Sequence, residues 1–198
     1  MDGFAIAAAA AAVLALLTIL GYRYIAACNR RHNEKVDRDT ATTTRGRLIN
    51  DQYGATGERF IYGLHRVRRN GCEAIAVHNA KVALGMDSTL SQTMTDFHRA
   101  LAMIGYGFFG SNPRAIGRVL RRSGIGYTRV GRHELTRQGV YILAFWNDHA
   151  PWGGLHTVAM RYDGGGYTTY NLKGRGMVSA LPPAVYAKHY ICGYYLGK

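Results

Sequence analysis

Residues 3–22 read GFAIAAAAAAVLALLTILGY and contain no Asp, Glu, Lys or Arg. Twenty uncharged residues in helical form are long enough to cross a hydrocarbon layer of about 30 Å. Such a run lies in a bilayer, is removed, or is buried in a soluble core, and each case leaves the rest of the chain to build its own core. A secretory signal starts with Lys or Arg and carries a shorter apolar stretch, whereas this chain starts with Asp2. The stretch Ile25–Cys28, IAAC, has the look of a lipoprotein cleavage box, but Arg23 interrupts the apolar run and the basic leader is missing. The expectation is one retained transmembrane anchor over residues 1–27, with cleavage or lipidation and a buried soluble helix as the alternatives.

Arg23, Arg30, Arg31, Lys35 and Arg38 all follow the apolar run. The positive-inside rule then puts the remaining chain in the cytoplasm, with an extracytoplasmic domain as the alternative. Three cysteines, at 28, 72 and 192, suggest neither a disulfide framework nor a CxxC zinc site. The net charge of +13 raises nucleic-acid binding. Much of that charge sits between anchor and domain, however, where it can lie against anionic headgroups, and no nucleic-acid motif accompanies it. No nucleic-acid partner is expected. Residues 28–54 read as a basic juxtamembrane linker, and residues 55–198 as the folded domain.

Within that domain helices come first. Residues 73–84 and 91–104 have helical apolar spacing, and Asn112-Pro113 starts a third helix that Gly124 stops. Strands follow at 126–130, at the apolar run 140–146, and at 155–162 and 167–172 on either side of Asp163-Gly-Gly-Gly166, with a last strand near the C-terminus. Helices followed by an antiparallel sheet make an α+β fold, the helical layer packed on the sheet.

Asn70-Gly71 delivers Cys72 to the first turn of the first of these helices. Unpaired N–H groups and the helix dipole stabilise a thiolate there, and the same groups can hold an oxyanion. Arg66, Arg68 and Arg69 push in the same direction, Glu73 against it. A nucleophile needs a base, and His156 begins the strand LHTVAMRY. A two-residue turn at Gly164-Gly165 puts Asn171 diagonally beside His156 on one face; a four-residue loop puts it directly opposite. Either register lets the Asn171 side chain orient the imidazole, whereas an unbulged three-residue loop puts it on the other face.

NGCEAIAVHNAKVALG, GFFGSNPRAIGRVLRRSG, VYILAFWN and GLHTVAMRYDGGGYTTYN together resemble bacterial papain-like cysteine peptidases. More distantly, they are similar to the leader-peptide peptidase domains of bacteriocin exporters. The resemblance covers roughly residues 55–198 and implies a papain-like α+β fold. It also implies Cys72 as nucleophile, His156 as general base and Asn171 as the orienting residue, with a peptide or protein substrate and no cofactor or metal. The family's oxyanion Gln, six residues before the Cys, is here Arg66. Asn70, two residues before Cys72, is the candidate substitute amide, with the backbone N–H of Cys72 the surer donor, and loss of a side-chain donor costs on the order of 3–4 kcal/mol of transition-state stabilisation.

Rival groups are weaker. Asp148-His149 reads as a loop pair, His78 as a helix contact pointing away from the thiol, and Asp163 as a turn residue; HEL at 133–135 is not a zinc motif. The expected function is a membrane-anchored thiol hydrolase that cleaves a peptide or isopeptide bond through an acyl-enzyme on Cys72. The alternatives are a catalytically weak or inactive peptide-binding module, and a thiol acyltransferase or amidase.

Overall fold

A computed structural model of the chain describes residues 2–146, 154–172, 175–179 and 189–197. Its first element, α1 (Asp2–Arg38), is a single helix of 37 residues, about 55 Å long at 1.5 Å per residue. The apolar half is long and apolar enough to cross a membrane by length and composition; near its end the Thr18 carbonyl accepts from the Tyr106 hydroxyl at 3.3 Å and the Tyr22 hydroxyl donates to the His98 carbonyl at 3.2 Å. The second half runs on through the stretch expected to be linker, and it is packed. Asn33 bonds the N–H and the carbonyl of Ile61 through its own amide, at 2.9 and 2.8 Å. The Asp37 carboxylate accepts from the N–H groups of Thr44 and Ser91, at 2.9 and 3.0 Å. Asn33 and Asp37 are four residues apart, so they share one helix face, and that polar face docks α1 on the domain. Thr44, Ile49 and Gln52 are buried as well, which makes 28–54 a segment built into the domain's surface.

Two short helices, α2 (Ala55–Arg59) and α3 (Val67–Asn70), flank a small hairpin of β1 (Ile61–Tyr62) and β2 (His65–Arg66). Then come α4 (Cys72–Ala83) and α5 (Leu90–Arg99). Thr89 caps α5 by accepting from Gln92 N–H at 3.2 Å. The spacing of apolar residues predicts a helix to 104, but it ends at Arg99, because Leu101 adopts a left-handed φ of 51°. Met94 and Phe97 are buried as expected, whereas Leu101 is 70 % exposed. A 3₁₀ turn at Pro113–Ala115, capped by Asn112, leads into α6 (Ile116–Arg122).

The sheet consists of β3 (Thr128–Val130), β4 (Gly139–Trp146), β5 (Leu155–Tyr162), β6 (Tyr167–Leu172), β7 (Arg175–Ser179) and β8 (Tyr190–Tyr195), in the order β3-β8-β4-β5-β6-β7, with every pair antiparallel. The fold is thus α+β, with a long apolar N-terminal helix and a C-terminal antiparallel sheet. Strand alternation divides the core in two. Val140, Ile142, Ala159 and Tyr194 face the helices, among them Ile75, Phe97 and Leu120. Tyr141, Leu143, Phe145, Val158 and Met160 form the second face. Val130 of β3 and Tyr167 of β6 share that second cluster although three strands lie between them, so the sheet curls around it. The Asp163 carboxylate closes the β5–β6 hairpin by accepting from Gly165 and Gly166 N–H, at 2.9 and 2.8 Å.

Candidate functional site

Gly71 ends α3 and caps α4 in one residue. A Cβ there would stand 2.6 Å from Val67 Cγ1 and 2.9 Å from its carbonyl oxygen, so only glycine lets the two helices meet this tightly. That junction drives Cys72 against the sheet. The thiol is buried, with two acceptors within reach of its one hydrogen, the Glu73 carboxylate at 3.2 Å and the Leu155 carbonyl at 3.7 Å. The N–H of Thr157 is directed at the sulfur. Pairing of β5 with β6 stops at Ala159–Tyr170, so among the described residues the first part of β5 has no strand partner on that edge. Leu155 C=O and Thr157 N–H lie on that edge, and the thiol takes the place of a missing strand neighbour.

Burial pushes the Cys72 thiol well above its usual pKa, and the adjacent Glu73 charge and the hydrogen bond to it add to the rise. The N–H groups of Thr157 and Glu73 pull the other way and are outweighed. Arg66, Arg68 and Arg69 are turned elsewhere. Arg66 donates to the Arg59 carbonyl at 3.3 Å, Arg68 pairs with Glu58, and Arg69 lies 5.5 Å over the Phe108 ring. The resting cysteine is therefore a neutral thiol. Glu73 is only 2 % exposed, and burial raises its carboxyl from 4.5 to about 7.

His156 follows Leu155 and is turned to the second face of the sheet, its ring edge-on to Phe145 at 5.7 Å. Burial lowers its pKa, and a hydrogen bond to the Asn171 carbonyl opposes the drop. That bond, from Nε2 at 2.9 Å, has a carbonyl as its only acceptor. Nε2 must carry the proton, and Nδ1 is left as the basic nitrogen. No hydrogen bond joins the thiol to the ring among the described residues.

The hairpin adopts the two-residue turn, since Tyr162 faces Tyr167 and Ala159 faces Tyr170. Continued alternation would set the Asn171 amide beside His156. Asn171 instead has φ 62°, which turns the side chain off that face and presents its carbonyl to the imidazole. The expectation that the amide orients the ring is corrected accordingly: backbone does it. The amide itself is buried against Gln52, accepting from Gln52 N–H at 3.0 Å and donating to Gln52 Oε1 at 3.2 Å. Gln52 Nε2 in turn donates to the carbonyls of Val67 and Arg68, at 3.2 and 3.1 Å. A chain of amides therefore runs from α3, immediately before the cysteine, to the strand end that holds the histidine. Nothing in the sequence marks Gln52, because a lone Gln in a polar stretch has no periodicity or motif.

Asn70 is not placed to hold an oxyanion. Its amide nitrogen donates to the Tyr62 carbonyl at 3.0 Å and to the Gly107 carbonyl, which uses both hydrogens. Only its acceptor oxygen lacks a partner, and an acceptor repels an oxyanion. Gln52 has committed its donors too, so the backbone N–H groups of the first turn of α4 are the donors nearest the thiol. His78 is a satisfied core histidine, bonded to the Arg47 carbonyl at 2.9 Å and to Ser88 at 3.3 Å. Asp148 and His149 lie outside the described residues. No family model matches this chain, and no curated protein matches it either.

Proposed function

We propose that this protein is a membrane-anchored thiol hydrolase with a papain-like domain, acting on a peptide or isopeptide bond. The observation that carries the proposal is the His156 Nε2–H···O=C Asn171 bond. It leaves a basic Nδ1 on the residue that follows the carbonyl touched by the thiol. His156 accepts the Cys72 proton, the thiolate attacks the substrate carbonyl, and N–H groups at the start of α4 stabilise the oxyanion. Protonated His156 then gives its proton to the leaving amine, and water releases the acyl group from sulfur. Asn171 acts as a positioning residue through its carbonyl. Residues 3–22 anchor the enzyme, and the basic residues after them hold the domain on the cytoplasmic side.

A second reading, a peptide-binding module with no turnover, is favoured by one observation: the thiol donates to Glu73 rather than to an imidazole. An amidase or acyltransferase would use the same three residues with another acceptor. A thiol-directed peptidyl probe separates hydrolase from binding module. Full-length protein should be labelled stoichiometrically at Cys72, Cys72→Ala not at all, and His156→Ala on the order of a hundredfold more slowly or worse. Wild-type labelling kinetics in His156→Ala would sink the proposal.

A further inference from the structure

A crevice of about 800 Å³ lies between α1 and α5. It sits where α1 changes character, from Ile19 in the apolar run to Arg23, Ala26 and Arg30 beyond it. These residues share one helix face, and the small side chain of Ala26 leaves room between the two helices. The opposite wall carries His98, Arg99 and Leu101. Three features make the crevice a site rather than a packing fault. Arg23, Arg30 and Arg99 bring three positive charges to it. Arg30 has only a long contact of 3.9 Å with Glu34, and neither Arg23 nor Arg99 has an acidic partner among the described residues. His98 is 5 % exposed and lines the crevice, yet both of its ring nitrogens lack a hydrogen-bond partner. The same end of the domain also exposes Leu101, Phe108 and Phe109, and the Tyr106 hydroxyl ties this loop to α1 at the Thr18 carbonyl, 3.3 Å away.

We propose that the crevice binds one anionic phospholipid from the leaflet out of which α1 emerges, its acyl chain along Ile19 and its phosphate between Arg23, Arg30 and Arg99. This rests on α1 crossing the bilayer and is independent of any chemistry at Cys72. With α1 in the membrane, Thr18–Tyr22 stands at the edge of the hydrocarbon layer and Arg23 onward at headgroup depth, so the apolar end of the crevice opens toward acyl chains and the arginines toward phosphate. A free phosphate would meet the arginines but leave the apolar half empty. Burial lowers the His98 pKa to about 4, so the ring is neutral and offers one N–H and one acceptor, which a phosphate oxygen and a glycerol hydroxyl can fill. The exposed Phe108 and Phe109 then rest in the interface beside the bound lipid.

Native mass spectrometry of the full chain in detergent, titrated with phosphatidylglycerol, phosphatidylcholine or inorganic phosphate, tests this. The wild type should retain one phosphatidylglycerol in preference to phosphatidylcholine, and inorganic phosphate should not displace it. At roughly 1 kcal/mol for each arginine near an anionic headgroup, Arg23→Gln with Arg99→Gln should weaken retention on the order of tenfold or more. Both residues are exposed, so the fold is not at risk; Ala26→Leu, which narrows the crevice without touching its charge, should weaken both lipids. Equal retention of the two lipids by the wild type, unchanged retention in the arginine variant, or displacement by phosphate alone would overturn the assignment.

Discussion

Glu73→Gln removes a charge that the fold holds at a cost. The carboxyl is almost fully buried, and its partner is a thiol. Burial raises its pKa from 4.5 to about 7, which is worth about 3 kcal/mol against the charged form. The folded state binds this proton more tightly than the unfolded chain does, so stability falls as pH rises. The decline begins near pH 4.5, where the unfolded carboxyl ionises, and is complete just above pH 7. Gln keeps the shape and cannot ionise. The stability difference between variant and wild type should therefore move in favour of the variant by about 3 kcal/mol between pH 4.5 and pH 8. Urea denaturation at both pH values measures it, other groups cancelling in the difference. The thiol supplies an independent readout. The Glu73 charge and the hydrogen bond to it both raise the Cys72 pKa, so alkylation of Cys72 at pH 8 should be faster in the variant. A stability difference that is the same at both pH values would refute the buried-carboxylate account. Slower alkylation would show that Glu73 assists the thiolate.

Two further perturbations test the scaffold. Asn171→Ala breaks the amide chain to Gln52 and leaves buried groups unpaired, which should cost about 1–3 kcal/mol in urea unfolding; Gln52→Ala should cost a similar amount, with the double variant well short of the sum because both remove one network. Lys81 and Asp96 form an ion pair at 3.1 Å that is largely buried on both sides, so Lys81→Met should destabilise by about 3–5 kcal/mol and a second change, Asp96→Leu, should restore much of it.

Local chemistry was legible in the sequence wherever a short stretch could satisfy itself. The Asp163–Gly166 turn, the Asn112-Pro113 helix start and the central strand at 140–146 follow from turn residues, a cap and an apolar run, each complete within a few residues. So does the placing of Cys72 at a helix N-terminus. A 3.6-residue period can also be carried past its end, and the Ser91–Ile104 pattern was, because nothing in Leu101 announces a left-handed φ.

Residues 28–54 read as linker because their polar composition has no apolar period. Asn33, Asp37 and Gln52 nonetheless hold the domain together through bonds to backbone, which hydropathy does not register. The candidate site divides in the same way. The residue types and their order, thiol, imidazole and amide, are properties of the chain alone. Tertiary structure decided that Asn171 offers its carbonyl to His156 and its amide to Gln52, that the donors of Asn70 are spent on Tyr62 and Gly107, and that the Glu73 carboxylate rather than the imidazole touches the thiol. Each outcome depends on which groups lose water together, and burial is set by segments up to 119 residues apart, a distance over which no local pattern carries information.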